Sequence, residues 1–279
     1  MILCFGFSLG GCGVSGEDSN QSEYAYMVGD LMSAFDDALV SGGVLTLAQP
    51  ARKAVFSNFL PASIFDKAAA EPLATSCDDV ALSTCATGSG NGLQSRSYNG
   101  CTNNSLTFSG DVNYIHSGVD CVLSPAESVD RTPNFTVTGR RGYSLYVYGE
   151  SPAQTITRTG ANAYTFSSGA ITRAFTDTEG TTVLEFSSQT SSDLTITKSS
   201  TGRTVTGGEL QVSNLDGTES CALTPTSVKW DTTSCRCPVS GYWSGTCDGG
   251  NVKIKFDGCG VAEFTYDDTE TTLNLDRCF

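Results

Sequence analysis

The sequence predicts a mainly β protein. It reads as an antiparallel β meander, closed as a sandwich, a barrel or a long curved sheet, with a short N-terminal helical segment and disulfide staples. The strand-turn rhythm leaves a β-solenoid as an alternative. Three observations carry this expectation. Apolar residues alternate with polar ones at period two, clearest at Tyr143, Leu145 and Val147, at Leu194 and Ile196, and at Val252, Ile254 and Phe256 with Lys253 and Lys255 between them. Such alternation gives a strand one buried and one wet face. Turn residues, among them Asn214 to Gly217, Gly207-Gly208 and Asp248-Gly249-Gly250, recur at intervals of about 8–15 residues, too short to hold a helix between strands. Finally, twelve cysteines accompany a single histidine, His116, a ratio that suits disulfides in an oxidising compartment better than mixed Cys/His metal sites.

Composition narrows the function. A chain of 279 residues is long enough to bury a real core. Its charged fraction of 16% lies well under the usual value of about 25%, and Thr and Ser at many alternate positions suit a sheet with one face in water. Thirty acidic against sixteen basic residues give a net charge of -14 with no cluster of Lys or Arg. Phosphate backbones would be repelled, so nucleic acid is not an expected partner.

The elements follow in order. Residues 1–11 open with the apolar run "MILCFGFSL", and Leu9-Gly10-Gly11-Cys12 follows its end. This stretch resembles the lipobox of bacterial lipoproteins, in which Leu, two small residues and a cysteine precede the folded protein. The resemblance implies cleavage before Cys12 and a diacylglycerol thioether on its sulfur, a membrane anchor worth roughly 0.8 kcal/mol per buried methylene. Gly13 in place of an aspartate after the anchor implies the outer membrane. The first positive charge is Arg52, so the basic segment that begins such signals is expected upstream of Met1, unless Cys12 instead pairs with Cys4. Taking Cys4 and Cys12 out leaves ten cysteines, an even set.

Residues 12–22 are small and polar and read as a tether. Over 23–76 a helical segment is expected. Asn20 and Glu23 form a capping box, and Tyr24, Val28, Leu31, Phe35 and Ala38 recur at helical spacing up to Gly42-Gly43. Pro50 and Pro61 each open a further short helix. Residues 77–104 hold three cysteines among many small residues with little periodicity, and read as a stapled, loop-rich connector. The β domain is expected over 105–279.

The disulfide candidates are Cys77, Cys85, Cys101, Cys121, Cys221, Cys235, Cys237, Cys247, Cys259 and Cys278. Pairing neighbours in sequence predicts Cys77–Cys85, Cys101–Cys121, Cys221–Cys235, Cys237–Cys247 and Cys259–Cys278. Zinc is not expected, because Cys235, Cys237, Cys247 and Cys259 lack the paired CxxC spacing of a structural site. No catalytic constellation is visible. "GYWSG" at 241–245 sets Ser244 one place too late for a nucleophile elbow, and His116 reads as a surface residue at a strand end. The glycines of 88–92 lack the lysine of a phosphate loop. No cofactor is expected.

Aromatic side chains remain. Trp243 beside Tyr242, with Trp230, is either a stacking platform or core. Tyr146 and Tyr148, opposite in phase to Val147, fall on the outward face. The expectation is therefore a lipid-anchored bacterial cell-envelope protein with a binding, scaffolding or adhesion role toward a protein or polysaccharide. Its alternatives are a secreted, unlipidated structural or adhesive subunit and an extracytoplasmic hydrolase without a recognisable motif.

Overall fold

The computed structural model describes residues 80, 82–103, 106–139, 142, 144–214, 217, 220–231 and 238–274. The lipobox with Cys12, the tether and the expected helices lie outside them, as do Cys77, Cys235, Cys237 and Cys278.

Regular structure among the described residues is strand throughout. The first rows are β1 (Ala86–Gly88), β2 (Asn91–Asn103), β3 (Leu106–His116) and β4 (Ser128–Thr138). Then come β5 (Ser144–Gly149), β6 (Gln154–Arg158), β7 (Ala163–Ser168), β8 (Ile171–Thr176), β9 (Thr182–Ser192), β10 (Leu194–Lys198), β11 (Gly202–Thr206) and β12 (Glu209–Asn214). The series ends with β13 (Ser220–Asp231), β14 (Pro238–Cys247), β15 (Gly250–Phe256), β16 (Val261–Tyr266) and β17 (Thr269–Asn274). All seventeen belong to one sheet. The expected antiparallel meander is present, and since every ladder is antiparallel, the solenoid alternative, which stacks parallel strands, is set aside.

Register shows that several strands are halves of longer ones. Both β5 and β6 pair with β4, Asn134 facing Tyr148 and Arg131 facing Gln154, so the two continue one another along a single partner. In the same way β7 and β8 line up against them, β9 and β10 follow, and β11 and β12 share β13. The interruptions are adjacent from row to row: 150–153 beside 169–170, then Asp193, Gly207-Gly208, and the register shift of β13 between Thr226 and Lys229. They form a crease across the sheet.

Local chemistry explains the crease. Ser151–Pro152 is a cis peptide, and a proline there withholds a ladder donor. Gly208 has φ of 76° and stands so close to Asp193 O that a Cβ would come within 2.2 Å of it. Gly241, at φ 87°, meets Ser227 O in the same way. Freed backbone groups find other partners: Gly169 N donates to Ala153 O at 2.8 Å and Ser168 N to Thr190 Oγ1 at 2.8 Å. Inward side chains from both sides of the crease, Val147, Phe175, Phe186 and Val212 on one and Ile156, Phe166, Ile196 and Val205 on the other, join one hydrophobic core.

Hairpin turns fit their residues. Asp248 (φ 45°) and Gly249 (φ 88°) link β14 to β15, where Cys247 faces Gly250, the two positive φ values of a type I′ turn.

Two features correct the sequence reading. Residues 86–103 are strands rather than a loop-rich connector. The inward positions of β2 are Gly92, Gln94, Arg96 and Tyr98, opposite His116, Tyr114, Val112 and Gly110 of β3, and this mostly polar set erases the period-two signal. Disulfide pairing also departs from neighbour order. Cys85 pairs with Cys121 and Cys221 with Cys247, which replaces the expected Cys77–Cys85, Cys101–Cys121, Cys221–Cys235 and Cys237–Cys247. The reason is register: Cys221 and Cys247 face each other where β13 begins and β14 ends. At the other bond, the chain after β3 folds back over Gly92, whose N donates to Gly118 O at 2.9 Å. A Cβ at Gly92 would lie 2.7 Å from Cys121 Sγ, so the missing side chain lets the loop reach Cys85. Cys101 and Cys259 are also disulfide-bonded.

Candidate functional site

Alternation along β5 sends Leu145 and Val147 into the core and Tyr146 and Tyr148 outward. The two tyrosine rings stack at a centroid distance of 4.7 Å and an interplanar angle of 24°, because residues two apart on one face of a strand stand side by side. Tyr146 is 38% exposed. Both hydroxyls are tied to neighbouring strands, Tyr146 donating to Asn134 Oδ1 at 2.8 Å and Tyr148 to Glu185 Oε1 at 3.3 Å. The pair is thus held in place, with Ala174 and Thr172 as its cross-strand neighbours on β8.

Around the rings the outer face is hydroxyl- and amide-rich. Register carries Asn134, Tyr148, Thr172, Ser187 and Ser213 across five rows, and Ser187 and Ser213 are hydrogen-bonded at 3.3 Å. Gln189 donates to Gln211 at 3.3 Å alongside. A stacked pair with Tyr146 exposed and Tyr148 half-buried, edged by hydroxyls, amides and the carboxylates of Glu185 and Asp111, offers ring surface to C–H groups and side chains to hydroxyls.

The other aromatic candidates separate. Trp243 is 1% exposed and packs in the core with Trp230, which removes it as a stacking platform. On β14, Trp243 faces Pro225 and Ile254, so its row is apolar on both sides. Tyr242 stays partly exposed beneath Lys253, whose Nζ lies 4.7 Å from the ring centroid.

His116 ends β3 as expected but is 5% exposed rather than on the surface. Burial lowers its pKa below 6.5, and the nearby charges of Asp120 and Glu127 oppose that shift.

Sequence reasoning overlooked the buried polar residues. Arg131, Gln154, Arg173, Ser188 and Arg203 all lie within the core face. Arg131 Nη1 donates to Gln154 Oε1 at 2.6 Å and Arg173 Nη1 to Ser188 Oγ at 3.0 Å. Arg203 lies 4.4 Å over the Trp230 ring, and full burial lowers its pKa to about 9. A signal for them existed: Arg131 is in phase with Val129 and Phe135, Arg173 with Ile171 and Phe175, and Arg203 with Val205. An arginine in step with the apolar residues of a strand points inward.

The fold and its outer face define a disulfide-bonded β-meander protein with a stacked, outward-facing tyrosine pair. No family model, curated protein or solved structure matches the chain.

Proposed function

We propose that this chain is an exported bacterial envelope protein, anchored through lipid on Cys12, whose β domain binds an envelope polysaccharide on the face around Tyr146 and Tyr148. The stacked outward pair, Tyr146 exposed and Tyr148 half-buried, is the observation that carries the reading. Its hydroxyls are already satisfied by Asn134 and Glu185, so the rings are fixed before a ligand arrives and little side-chain entropy is lost on binding. The hydroxyls and amides on this face, with the Glu185 carboxylate beside Tyr148 and Asp111 next to Asn134, match the hydroxyl groups of a polyol. Disulfides at Cys85–Cys121 and Cys221–Cys247 support an oxidising compartment, and the lipobox supports the anchor.

The test is retention of the full chain on immobilised envelope polysaccharide from the native host. Tyr146→Ala is expected to weaken retention at least tenfold with little change in thermal stability, and Tyr242→Ala to leave it unchanged. Equal retention of wild type and Tyr146→Ala refutes the binding face. The mass of the N-terminal peptide from the membrane fraction tests the anchor separately, since an unmodified Cys12 removes it.

A further inference from the structure

A carboxylate stands beyond each end of the tyrosine pair. Tyr148 turns its hydroxyl toward β9, where Glu185 Oε1 accepts from it at 3.3 Å. Tyr146 turns its hydroxyl the other way, toward β4, where Asn134 Oδ1 accepts at 2.8 Å. Asn134 is in turn the direct cross-strand neighbour of Asp111 on β3, and opposed residues hold their Cβ atoms about 4.5–5.5 Å apart. Asp111 is exposed and Glu185 half-buried. Between them the strands run β3, β4, β5, β8 and β9, so four strand spacings put the two carboxylates on the order of 20 Å apart across the outer face.

No cation on this face balances them. Among the described residues of β2, β3, β4, β5, β8, β9 and β12, the basic side chains are Arg96, Arg131 and Arg173. Arg131 and Arg173 are buried on the core side, and Arg96 shares that side opposite buried Val112. Among the described residues neither Asp111 nor Glu185 makes an ion pair, and Glu185 Oε2 and both Asp111 oxygens accept no hydrogen bond. Aromatic faces attract cations as well as C–H groups. Ring surface with an unbalanced carboxylate at either side is therefore complementary to a sugar that carries positive charge.

Resting on the polysaccharide reading, we infer that the ligand is a polymer of amino sugars whose nitrogens are unacetylated and protonated. Its sugar rings lie on Tyr146 and Tyr148, and its ammonium groups donate to the free oxygens of Glu185 on one side and Asp111 on the other. The separation of the two carboxylates calls for a chain of several units lying across the strands, which a single sugar does not span.

Calorimetric titration of the full chain at pH 5.5 tests the inference with three soluble probes: an oligoglucosamine with free amines, its fully N-acetylated counterpart, and a neutral gluco-oligosaccharide of matching length. At this pH amines are charged and exposed carboxylates ionised. Oligoglucosamine is expected to bind at least tenfold more tightly than either other probe, and added salt should narrow that difference. Glu185→Gln keeps an acceptor for the Tyr148 hydroxyl but loses the charge; combined with Asp111→Asn it should weaken oligoglucosamine about tenfold, the joint weight of two solvent-exposed ion pairs, and leave the uncharged probes unaffected. Asp257→Asn with Glu263→Gln removes the same charge beside Lys255 and should change none of the affinities. Equal affinity for all three probes, lost in Tyr146→Ala, overturns the amino-sugar inference and leaves the polysaccharide reading standing. A preference for free amines that persists in Glu185→Gln/Asp111→Asn, or that Asp257→Asn/Glu263→Gln lowers as much, belongs to the net charge of -14 and overturns the inference as well. Binding of no probe also overturns it, while retention on the host polysaccharide decides the underlying reading separately.

Discussion

Cys221 and Cys247 face each other across the β13–β14 ladder, both buried, with a sequence separation of 26 and a Cα–Cα distance of 4.0 Å. Replacing both with alanine frees a loop of that length in the unfolded chain. Loop-closure entropy puts the loss at about 3.5 kcal/mol, and at about 2–4 °C per kcal/mol for a domain of this size the melting temperature should fall by about 7–14 °C. Cys85–Cys121, with a separation of 36, gives nearly the same figure, about 3.8 kcal/mol. The two bonds differ in access, since Cys85 is exposed and Cys121 half-buried. Calorimetry of the double variants Cys221→Ala/Cys247→Ala and Cys85→Ala/Cys121→Ala measures the stability terms. Alkylation and mass mapping after brief exposure of the native protein to dithiothreitol measures the order of reduction. Cys85–Cys121 should open first. A fall below about 3 °C for the β13–β14 pair would refute the entropic reasoning, because it would mean that the chain between the cysteines is already constrained when unfolded. Earlier reduction of Cys221–Cys247 would contradict its burial.

Three further outcomes follow from single side chains. Burial holds the His116 pKa below its unfolded value, so between those two values the unfolded state binds more protons and stability falls as pH drops; urea midpoints at pH 7.5 and 5.5 should show this fall in wild type and less of it in His116→Gln. Gly245 faces Leu223 and a Cβ there would come within 1.8 Å of Ala222 O, so Gly245→Ala should cost about 1–3 kcal/mol of overpacking or more in a denaturant titration. Gly249 meets nothing within 4 Å but has φ of 88°, so Gly249→Ala should cost only the left-handed penalty of about 1–2 kcal/mol, and a ranking opposite to that for Gly245 would count against the register of β13 and β14.

Legibility followed from contrast between inward and outward residues. Strands such as β10 and β15, where Leu194 and Ile196 or Val252, Ile254 and Phe256 alternate with polar residues, could be read directly. β2 could not, because its inward set of Gly92, Gln94, Arg96 and Tyr98 is no more apolar than its outward one. Its strand character comes from pairing with β3, which no local pattern encodes. Disulfide partners were illegible for the same reason: sequence distance ranks Cys235 nearer to Cys221, whereas register puts Cys247 beside it. The outward tyrosines were legible from phase alone, and Trp243 was not, since an aromatic on a partly polar strand has no sign for in or out until its cross-strand row is known.

The crease links these observations. A meander that stayed flat would leave one apolar face open to water, whereas interruptions at 150–153, 169–170, Asp193, Gly207-Gly208 and Thr226 to Lys229 lie in register and allow both parts of the sheet to feed one core. Residues beside such a line lose regular ladder partners, and their polar groups must be satisfied by side chains instead. This accounts for Ser168 and Thr190, which cap freed backbone groups. It does not account for Arg131, whose guanidinium satisfies no backbone carbonyl and whose only described partner is a neutral amide. A crease needs small and hydroxyl-bearing residues; it does not need a buried cation. Arg96 shares this state, its Nε also buried without an acceptor on the inward face of β2, so an inward arginine is a recurrent feature of this core face and not the mark of one position at the crease.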